Sequence, residues 1–468
     1  MTDAVSVPFW LFVVLAALAL WAAYEKLLLP AVHWYVANRA NLVIDEVSKR
    51  LRIGIRPFQR TRRQALIDRL LTDPKVQKAA EQHAEKMGVP ILTSLKIVEG
   101  YAREIVPAFN AYLYFKIGYW IGRRVAQALY RVRLGYVDSE GLSKVESNAT
   151  VVFVMNHRSN MDYVLAGYLA ADQTALSYAV GEWARIWPLS ALIRAMGAYF
   201  VRRNSKDDLY RRVLERYIAM ATEAGVPQAV FPEGGLTRDG RIRDPRLGVL
   251  DYMLRGFRLG GERDLVFVPL GINYDRVLED RTLLLSIDPN AKRPGRLIAL
   301  WRTLAFVGRN LRLMMRSEWF RFGYACVNFG SPVSMRAYCR GRGIDFKELS
   351  GEDRKREVAA LGRHLIETVG RIVPVLPVPL ISTVFLQDES KKLSELEIKA
   401  EVEKLIESLQ ARGAHVYIPR KDLDYAIHVG LRMLTLRRLV DSGDGLYSAR
   451  AGEAPVLRYY ANSIAHLI

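Results

Sequence analysis

The sequence predicts an α/β protein with a largely parallel twisted sheet flanked by helices, preceded by an N-terminal transmembrane helix and a helical subdomain. Three observations support this prediction. Short β-rich apolar runs alternate with helical segments after about residue 136, which is typical of a parallel sheet buried on both faces. Residues 35–135 mix charged and apolar positions at helical spacing. Residues 5–24 contain no charged side chain over 20 positions.

The composition points to an anionic partner. The chain has 468 residues, with 68 Lys and Arg against 49 Asp and Glu, a net charge of +19. Such a surplus is typical of proteins that meet nucleic acid, an anionic membrane surface or phosphorylated substrates. The two cysteines, Cys326 and Cys339, form no CxxC pair, which indicates a reducing compartment and no structural zinc.

The first apolar run, residues 5–24, is long enough to cross the hydrocarbon core of a bilayer as a helix. Trp10, Trp21 and Tyr24 lie near its ends, as interfacial aromatic residues do, and basic residues follow it. We therefore expect a membrane anchor in residues 1–34, with the rest of the chain on the cytoplasmic side of the cell (inner) membrane. A cleaved signal peptide, which would need a basic n-region, and a helix lying in the membrane interface are the alternatives.

Residues 35–135 are predicted to form a helical subdomain. One helix has its start and end marked by Thr72 or Asp73 as the N-cap, Pro74 at the first helical position and Gly88 after the last turn.

Residues 136–340 are predicted to form the α/β domain. Its strands are expected at 150–155, 198–201, 228–232 and 264–272, with helices from about 160 and over 206–224. In such sheets the ligand binds beyond the carboxyl ends of the strands.

The remaining segments are predicted to be mostly helical. Residues 296–316 form a basic amphipathic helix that either lies on an anionic bilayer or packs on the core as an ordinary surface helix. Residues 373–387 are apolar, but three prolines interrupt them and they are too short to span a bilayer. Residues 341–468 are expected to pack on the α/β domain.

A histidine and a carboxylate follow the buried strand at 150–155. His157 and Asp162 are five residues apart, so they can meet only if the chain turns between them, and Ser159 or Asn160 can cap a helix that starts there. A carboxylate on one ring nitrogen fixes the tautomer and leaves the other nitrogen as a general base. The alternative is a structural histidine at a strand end.

Two further strand ends carry unusual residues. Arg202 and Arg203 follow the strand at 198–201, and adjacent guanidinium groups match a phosphate dianion, although a solvated edge is the alternative. Glu233 and Gly234 follow the strand at 228–232, with Arg238 beyond. Glycine allows backbone N–H groups to approach a ligand closely, and a tight turn is the alternative.

These stretches together resemble the blocks of the glycerolipid acyltransferase family, in order NHRSNMDY, GAYFVRR, FPEGGLTRDGR and FVPLGINYDRVLE. The resemblance is closer to the branch of membrane-bound glycerol-3-phosphate and dihydroxyacetone-phosphate acyltransferases, because Arg158 and Ser159 follow the histidine and block two has a double arginine. It extends to residues 323–333 and to the tail LRYYANSIAHLI.

The resemblance implies that the chain transfers an acyl group from acyl-CoA or acyl-carrier protein to the sn-1 hydroxyl of glycerol 3-phosphate at an anionic phospholipid membrane. His157 and Asp162 are then the catalytic residues. Glu233 either orders the arginines or bonds the free hydroxyl of the acceptor. The residues expected to bind substrate are Arg158, Arg202, Arg203, Glu233, Gly234 and Arg238.

No HExxH motif or ligand cluster is present, so we expect no metal, and the reaction needs no cofactor. Block three has Pro232 as in the lysophosphatidate acyltransferases, and Leu236 where the glycerol-3-phosphate branch usually has arginine. A lysophosphatidate acyltransferase is therefore one alternative and a non-catalytic lipid-binding scaffold is another. Nucleic-acid binding rests on net charge alone, because no nucleic-acid module is recognisable.

Overall fold

The computed structural model of the chain describes residues 57–61, 63–109, 118–170, 176–180, 193–202, 205–287 and 322–468. All of them belong to one compact unit, Leu51–Ile468. The predicted transmembrane span at 5–24, the amphipathic helix at 296–316 and Arg203 lie outside the described residues.

The described strands are β1 Arg131–Val137, β2 Thr150–Met155, β3 Ser177–Val180, β4 Ala198–Phe200, β5 Gln228–Val230, β6 Leu265–Tyr274, β7 Tyr324–Phe329, β8 Val333–Ser334, β9 Leu393–Ser394, β10 Val440–Gly443 and β11 Leu446–Ala449. The described helices are α1 Pro57–Arg60, α2 Arg63–Leu71, α3 Pro74–Met87, α4 Ile91–Ile105, α5 Tyr119–Leu129, α6 Ser139–Ser143, α7 Met161–Ala170, α8 Asp208–Glu223, α9 Gly248–Arg255, α10 Asp280–Leu285, α11 Met335–Arg342, α12 Gly351–Arg371, α13 Pro377–Gln387, α14 Glu395–Ala411, α15 Leu423–Leu436 and α16 Ala454–Ala461.

The main sheet contains eight strands, seven of them in the order β1-β7-β6-β2-β5-β3-β4, with β8 paired to β6. The strand predicted at 150–155 is β2, and all six of its residues are buried. It lies between β6 and β5 and pairs with both in parallel. The carboxyl ends of β2, β5 and β6 therefore meet at one edge of the sheet, where α/β folds bind their ligands.

The predicted fold class is wrong in two respects. The sheet is mixed: five of its seven described strand pairings are parallel, but β7 and β8 pair with β6 in the antiparallel direction. Antiparallel strands at the border of a parallel sheet are common in α/β proteins, and a strand's own sequence does not fix its direction. Among the residues that the structure describes, no helix has both the length and the apolar character needed to cross a membrane. The fold is an α/β fold with a mixed sheet and flanking helices, and the predicted transmembrane helix is not among its described elements.

Helices from before the sheet and after it share one hydrophobic core. Helix α8 packs against α3, α4 and α9, and α12 packs against β6 and β2. One core cluster joins side chains from Phe58 near the beginning of the described chain to Val369 in α12.

The predicted start and end signals of α3 function as expected from the sequence. The side chain of Asp73 accepts the backbone N–H groups of Lys75 and Val76, and Gly88 ends the helix with a φ of 64°. Asp73 also pairs with Arg216 of α8 at 2.7 Å, which ties this helix to the core.

The C-terminal residues are mostly helical, and they also contain a small sheet in the order β10-β11-β9 that the sequence analysis did not anticipate. Helix α13 packs against α14, α15 and α16. Helix α13 lies within the proline-interrupted segment at 373–387. The helix tolerates Pro377 because this residue occupies the first helical turn, where its missing N–H leaves no hydrogen bond unmade.

We predict that Asp73→Ala lowers the free energy of unfolding by about 2–4 kcal/mol, because it removes a helix cap and leaves the largely buried Arg216 without its carboxylate. Asp73→Asn keeps a capping oxygen and should cost less. Denaturant unfolding measures both, with Asp353→Ala, an exposed ion-pair partner on α12, as the control. Equal stability of Asp73→Ala and the control would contradict the assignment.

Candidate active site

The turn between β2 and α7 brings His157 and Asp162 together. The hydroxyl of Ser159 accepts the backbone N–H of Met161, the first residue of the helix, at 3.1 Å, and this cap reverses the chain. Nδ1 of His157 lies 2.9 Å from Oδ2 of Asp162. The two residues thus form the hydrogen-bonded pair that their spacing predicted.

Asp162 is fully buried and accepts four hydrogen bonds. Its Oδ2 accepts from Nδ1 of His157 and from the backbone N–H groups of Arg158 and Ser159, at 2.7 and 3.0 Å for the latter two. Its Oδ1 accepts the hydroxyl of Tyr274 at 2.5 Å. A buried carboxylate with this many donors is stable as an anion, so it can orient the imidazole and support a positive charge on it.

The His157 ring packs against two aromatic side chains. It stacks on Phe231, with ring centroids 4.0 Å apart, and meets Tyr163 edge to face at 5.4 Å. Because Nδ1 donates to Asp162, Nε2 is the nitrogen with the free lone pair, and no described residue donates a hydrogen bond to it. The residue is 2% exposed, so Nε2 lies in surroundings that largely exclude bulk water.

Glu233 fixes the position of the same turn from the β5 side. Its Oε1 accepts the backbone N–H of His157 at 2.8 Å, and its Oε2 accepts that of Arg243 at 3.1 Å. Burial raises the pKa of Glu233 to about 7, and the two backbone hydrogen bonds and the charge of Arg158 only partly offset this effect. The carboxylate therefore links two loops of the site rather than pointing at open space.

Gly234 has a φ of 68°, a conformation that favours glycine. A Cβ atom at this position would lie 2.5 Å from Cδ of Arg246, so the glycine allows the Arg246 side chain to cross the backbone closely. In the structure this close approach is made by an arginine.

The end of β6 contributes two residues that the sequence analysis did not identify. Tyr274 bonds Asp162, and Glu279 accepts the Ser159 hydroxyl at 2.8 Å and the side-chain amide of Asn160 at 3.0 Å. Burial raises the pKa of Glu279. Both residues lie in the stretch NYDRVLE, and the parallel pairing of β6 with β2 is the signal that could have placed them beside His157.

The predicted arginines do not form one cluster among the described residues. Arg158 is 2% exposed, donates to the backbone carbonyl of Gly240 at 2.5 Å and lies over the ring of Tyr459. Its Nε and Nη2 have no hydrogen-bond partner within the described ranges. Arg238 is exposed, and Arg203 is outside the described residues.

Arg202 is held by an ion pair that the sequence did not reveal. Its Nε and Nη2 donate to the carboxylate of Glu104 at 3.0 and 2.6 Å, and its guanidinium carbon lies 5.0 and 4.8 Å from the ring centroids of Tyr101 and Tyr210. The hydrogen bonds of Glu104 raise the pKa of Arg202, with a smaller opposing effect of burial. About a third of the side chain is exposed, at 34%.

A cavity of about 340 Å³ lies next to the loops that follow β4 and β5. Phe231, which stacks on His157, forms part of its wall, and so does Gly234. The wall is largely apolar, from the ends of three strands and from α8, α9 and α12, and it includes Arg202, Arg211 and Arg246. The cavity thus offers an apolar volume with cationic side chains in its wall.

The cysteines are unsuited to nucleophilic catalysis. Both are buried, and burial raises the pKa of Cys326 to about 12 and that of Cys339 to about 11, so neither forms a thiolate near neutral pH. Within the described part of the chain, no group of three or more His, Cys, Asp or Glu side chains could hold a metal ion. The chemistry that the described residues offer is proton transfer by a carboxylate-supported imidazole.

Two family models match the chain. Residues 136–273 match the acyltransferase model, and residues 310–468 match the model of the glycerol-3-phosphate acyltransferase C-terminal region. His157, Asp162 and Glu233 fall in the first region, and Tyr459 falls in the second.

Curated relatives of this chain include two bacterial proteins named glycerol-3-phosphate acyltransferase. The protein of Aeromonas hydrophila is 27% identical over 86% of this chain and 50% of its own length. That of Pseudomonas savastanoi pv. phaseolicola is 25% identical over 86% of this chain and 48% of its own. The chain therefore spans about half the length of the curated relatives it matches. The crystal structure of a 1-acyl-sn-glycerophosphate acyltransferase from Thermotoga maritima aligns with a TM-score of 0.32 and 19% identity, over 54% of this chain and 78% of that one.

We predict that Glu233→Gln removes a pH-dependent part of the stability. A raised pKa means that folded Glu233 keeps a proton that the unfolded chain loses between pH 4.5 and 7, so it stabilises the fold at acidic pH and this contribution is lost as the pH rises through about 7. The shift corresponds to about 3 kcal/mol. Between pH 5 and 7.5 the wild type should therefore lose unfolding free energy relative to Glu233→Gln. The exposed control Glu352→Gln should show no such change relative to the wild type. Identical pH dependence in wild type and Glu233→Gln would contradict this account.

Proposed function

The chain belongs to the glycerolipid acyltransferase family, and on that premise we propose that it transfers a fatty acyl group from an acyl thioester to the sn-1 hydroxyl of glycerol 3-phosphate. The product is then a lysophosphatidic acid. The acyl donor is acyl-CoA or acyl-carrier protein, which present the same thioester, and the transfer takes place at an anionic phospholipid surface.

The observation that carries the proposal is the bond between Nδ1 of His157 and the buried Asp162. It leaves Nε2 to accept the proton of an attacking hydroxyl. General-base assistance of this kind is typically worth about 10²–10⁴ in rate. A thioester is reactive enough that the hydroxyl can attack it directly, so the site needs no nucleophile of its own.

In the proposed step His157 takes a proton from the acceptor and returns it to the leaving group. The acceptor oxygen attacks the thioester carbonyl carbon while its proton passes to Nε2 of His157, and Asp162 supports the resulting imidazolium. The new C–O bond forms, the C–S bond breaks, and the imidazolium returns the proton to the leaving thiolate. The products are an ester and a free thiol.

The cavity beside Phe231 supports the binding of an acceptor with a phosphate group. Arg202 and Arg246 both line it, and a guanidinium group can donate two parallel hydrogen bonds to phosphate oxygens. Among the predicted binding arginines, Arg202 lies at this cavity, while Arg158 is enclosed beneath Tyr459. Arg203 and Arg238 stay predictions.

A lysophosphatidate acyltransferase is the second candidate, and Leu236 with Pro232 favours it, because the glycerol-3-phosphate branch usually has an arginine at the first of these positions. The purified protein, offered either acceptor with palmitoyl-CoA, distinguishes the two. Acylation of glycerol 3-phosphate at least tenfold faster supports our proposal, and a reversed preference favours the second candidate.

We predict that His157→Ala lowers kcat for transfer to glycerol 3-phosphate by about 10²–10⁴, because it removes the proposed base. The control is His428→Ala, an exposed histidine on α15. Both proteins should fold, as checked by thermal unfolding. Near-normal turnover of the folded His157→Ala protein would exclude this histidine as the base.

We predict that Arg202→Ala raises KM for glycerol 3-phosphate by about 10- to 100-fold, because it removes a charge-assisted hydrogen bond. Glu104→Gln should instead leave this KM unchanged or lower it, since it frees the guanidinium from its carboxylate partner. Steady-state kinetics with each substrate varied in turn measures both. Equal increases in the two variants would show that the ion pair matters for structure only.

A further inference from the structure

We propose that Tyr274 is a positioning residue of this site, whose hydroxyl holds the Asp162 carboxylate and so sets how firmly His157 takes up a proton. Its effect on turnover rests on the function proposed above. The hydrogen-bonded chain from Tyr274 through Asp162 to His157 is a property of the structure itself.

The geometry begins with the pairing of β2 and β6. Met155, the last residue of β2, is aligned with Leu270, so the last four residues of β6 extend beyond β2 towards the His157 turn. Tyr274 ends β6 and is fully buried, and its hydroxyl lies 2.5 Å from Oδ1 of Asp162. The other three donors to this carboxylate all bond Oδ2. Among the described residues, Tyr274 is thus the one donor to Oδ1.

The direction of this hydrogen bond is fixed by its surroundings. Burial, the charge of Asp162 and their hydrogen bond raise the pKa of Tyr274 well above its ordinary value, so the phenol stays protonated and donates. Its ring packs against Tyr130 with centroids 5.2 Å apart. The hydroxyl of Tyr130 donates elsewhere, to the backbone carbonyl of Arg276 at 2.8 Å.

A donor on Oδ1 weakens the carboxylate as a base. Each hydrogen bond to a carboxylate stabilises its negative charge and lowers its affinity for a further proton. Without the Tyr274 hydroxyl, Oδ1 of Asp162 would be a buried acceptor with no partner, and the carboxylate would attract the imidazolium form of His157 more strongly. His157 would then stay protonated to higher pH, where a protonated ring cannot act as a base.

Other charged groups face the pair and are unchanged by a substitution at Tyr274. Glu233 accepts the backbone N–H of His157, and Glu279 holds the Ser159 side of the turn. Arg158 is the neighbouring cation, under Tyr459. A comparison of wild type with a variant at Tyr274 therefore isolates the contribution of its hydroxyl.

The test compares Tyr274→Phe with Tyr130→Phe as a matched control. Each substitution removes one buried hydroxyl from one of two adjacent rings. The hydroxyl of Tyr274 bonds Asp162, whereas that of Tyr130 bonds the carbonyl of Arg276. The full-length protein carries ¹⁵N-labelled histidine, and the His157 ring signals are identified by their loss in His157→Ala. In Tyr274→Phe we expect the ring to titrate about 0.5–1 pH unit higher than in wild type. The acid limb of kcat/KM should move by the same amount, with KM for glycerol 3-phosphate within twofold of wild type. Tyr130→Phe should leave the titration in place.

Replacement of Tyr274 by 3-fluorotyrosine gives a second test that keeps the shape of the side chain. The fluorinated phenol is a stronger donor, so the His157 ring should titrate at lower pH than in wild type, opposite to Tyr274→Phe. No shift in Tyr274→Phe, equal shifts in both phenylalanine variants, or a fluorotyrosine shift in the same direction would each overturn the inference. The titrations do not require turnover: absence of acyl transfer by the wild type would refute the proposed function, and the titrations would still decide the role of Tyr274.

Discussion

The site depends on the burial of a single carboxylate, that of Asp162. A buried carboxylate is tolerated as an anion only where donors surround it, and this one has four, from the turn after β2 and from the end of β6. These donors are correctly placed only when β2 and β6 pair in register and the Ser159 cap starts α7. The interaction that orients His157 is therefore also the one that fixes the loop on which His157 lies.

Two more carboxylates, Glu233 and Glu279, hold the loops around His157, and the C-terminal residues contact the loop that carries Glu279. Next to Glu279, Asp280 accepts the guanidinium of Arg437 and the hydroxyl of Tyr460, each at 2.5 Å. The same hydroxyl accepts the backbone N–H of Val277 at 3.1 Å. The region that matches the C-terminal family model thus packs directly on the loop that follows β6. Its contacts explain why the acyltransferase region and the C-terminal region occur together in one compact unit.

Local patterns in the sequence predicted those features that depend on neighbouring residues. The strand at 150–155, the caps of α3 and the turn that joins His157 to Asp162 all follow from residues within a few positions of one another. The antiparallel strand β7 was not anticipated, because an apolar run carries no information about the direction of its partner strand. Tyr274 was missed for a similar reason: its hydroxyl meets a residue 112 positions away, and only the sheet register brings the two together. The arginine cluster expected from strand ends is likewise not seen among the described residues. Arg202 bonds a carboxylate 98 positions earlier in the chain, in a helix that the sequence treated as separate.

The central claim is that an ionised Asp162 both builds the site and makes His157 a base, and Asp162→Asn tests it most directly. The amide presents an NH₂ group to donors that now bond a carboxylate, and it cannot support an imidazolium by charge. We expect the purified variant to lose about 2–4 kcal/mol of unfolding free energy. Transfer of palmitate from palmitoyl-CoA to glycerol 3-phosphate should fall by at least about 10² in the protein that remains folded. A folded Asp162→Asn protein with wild-type stability and wild-type transfer would contradict the account.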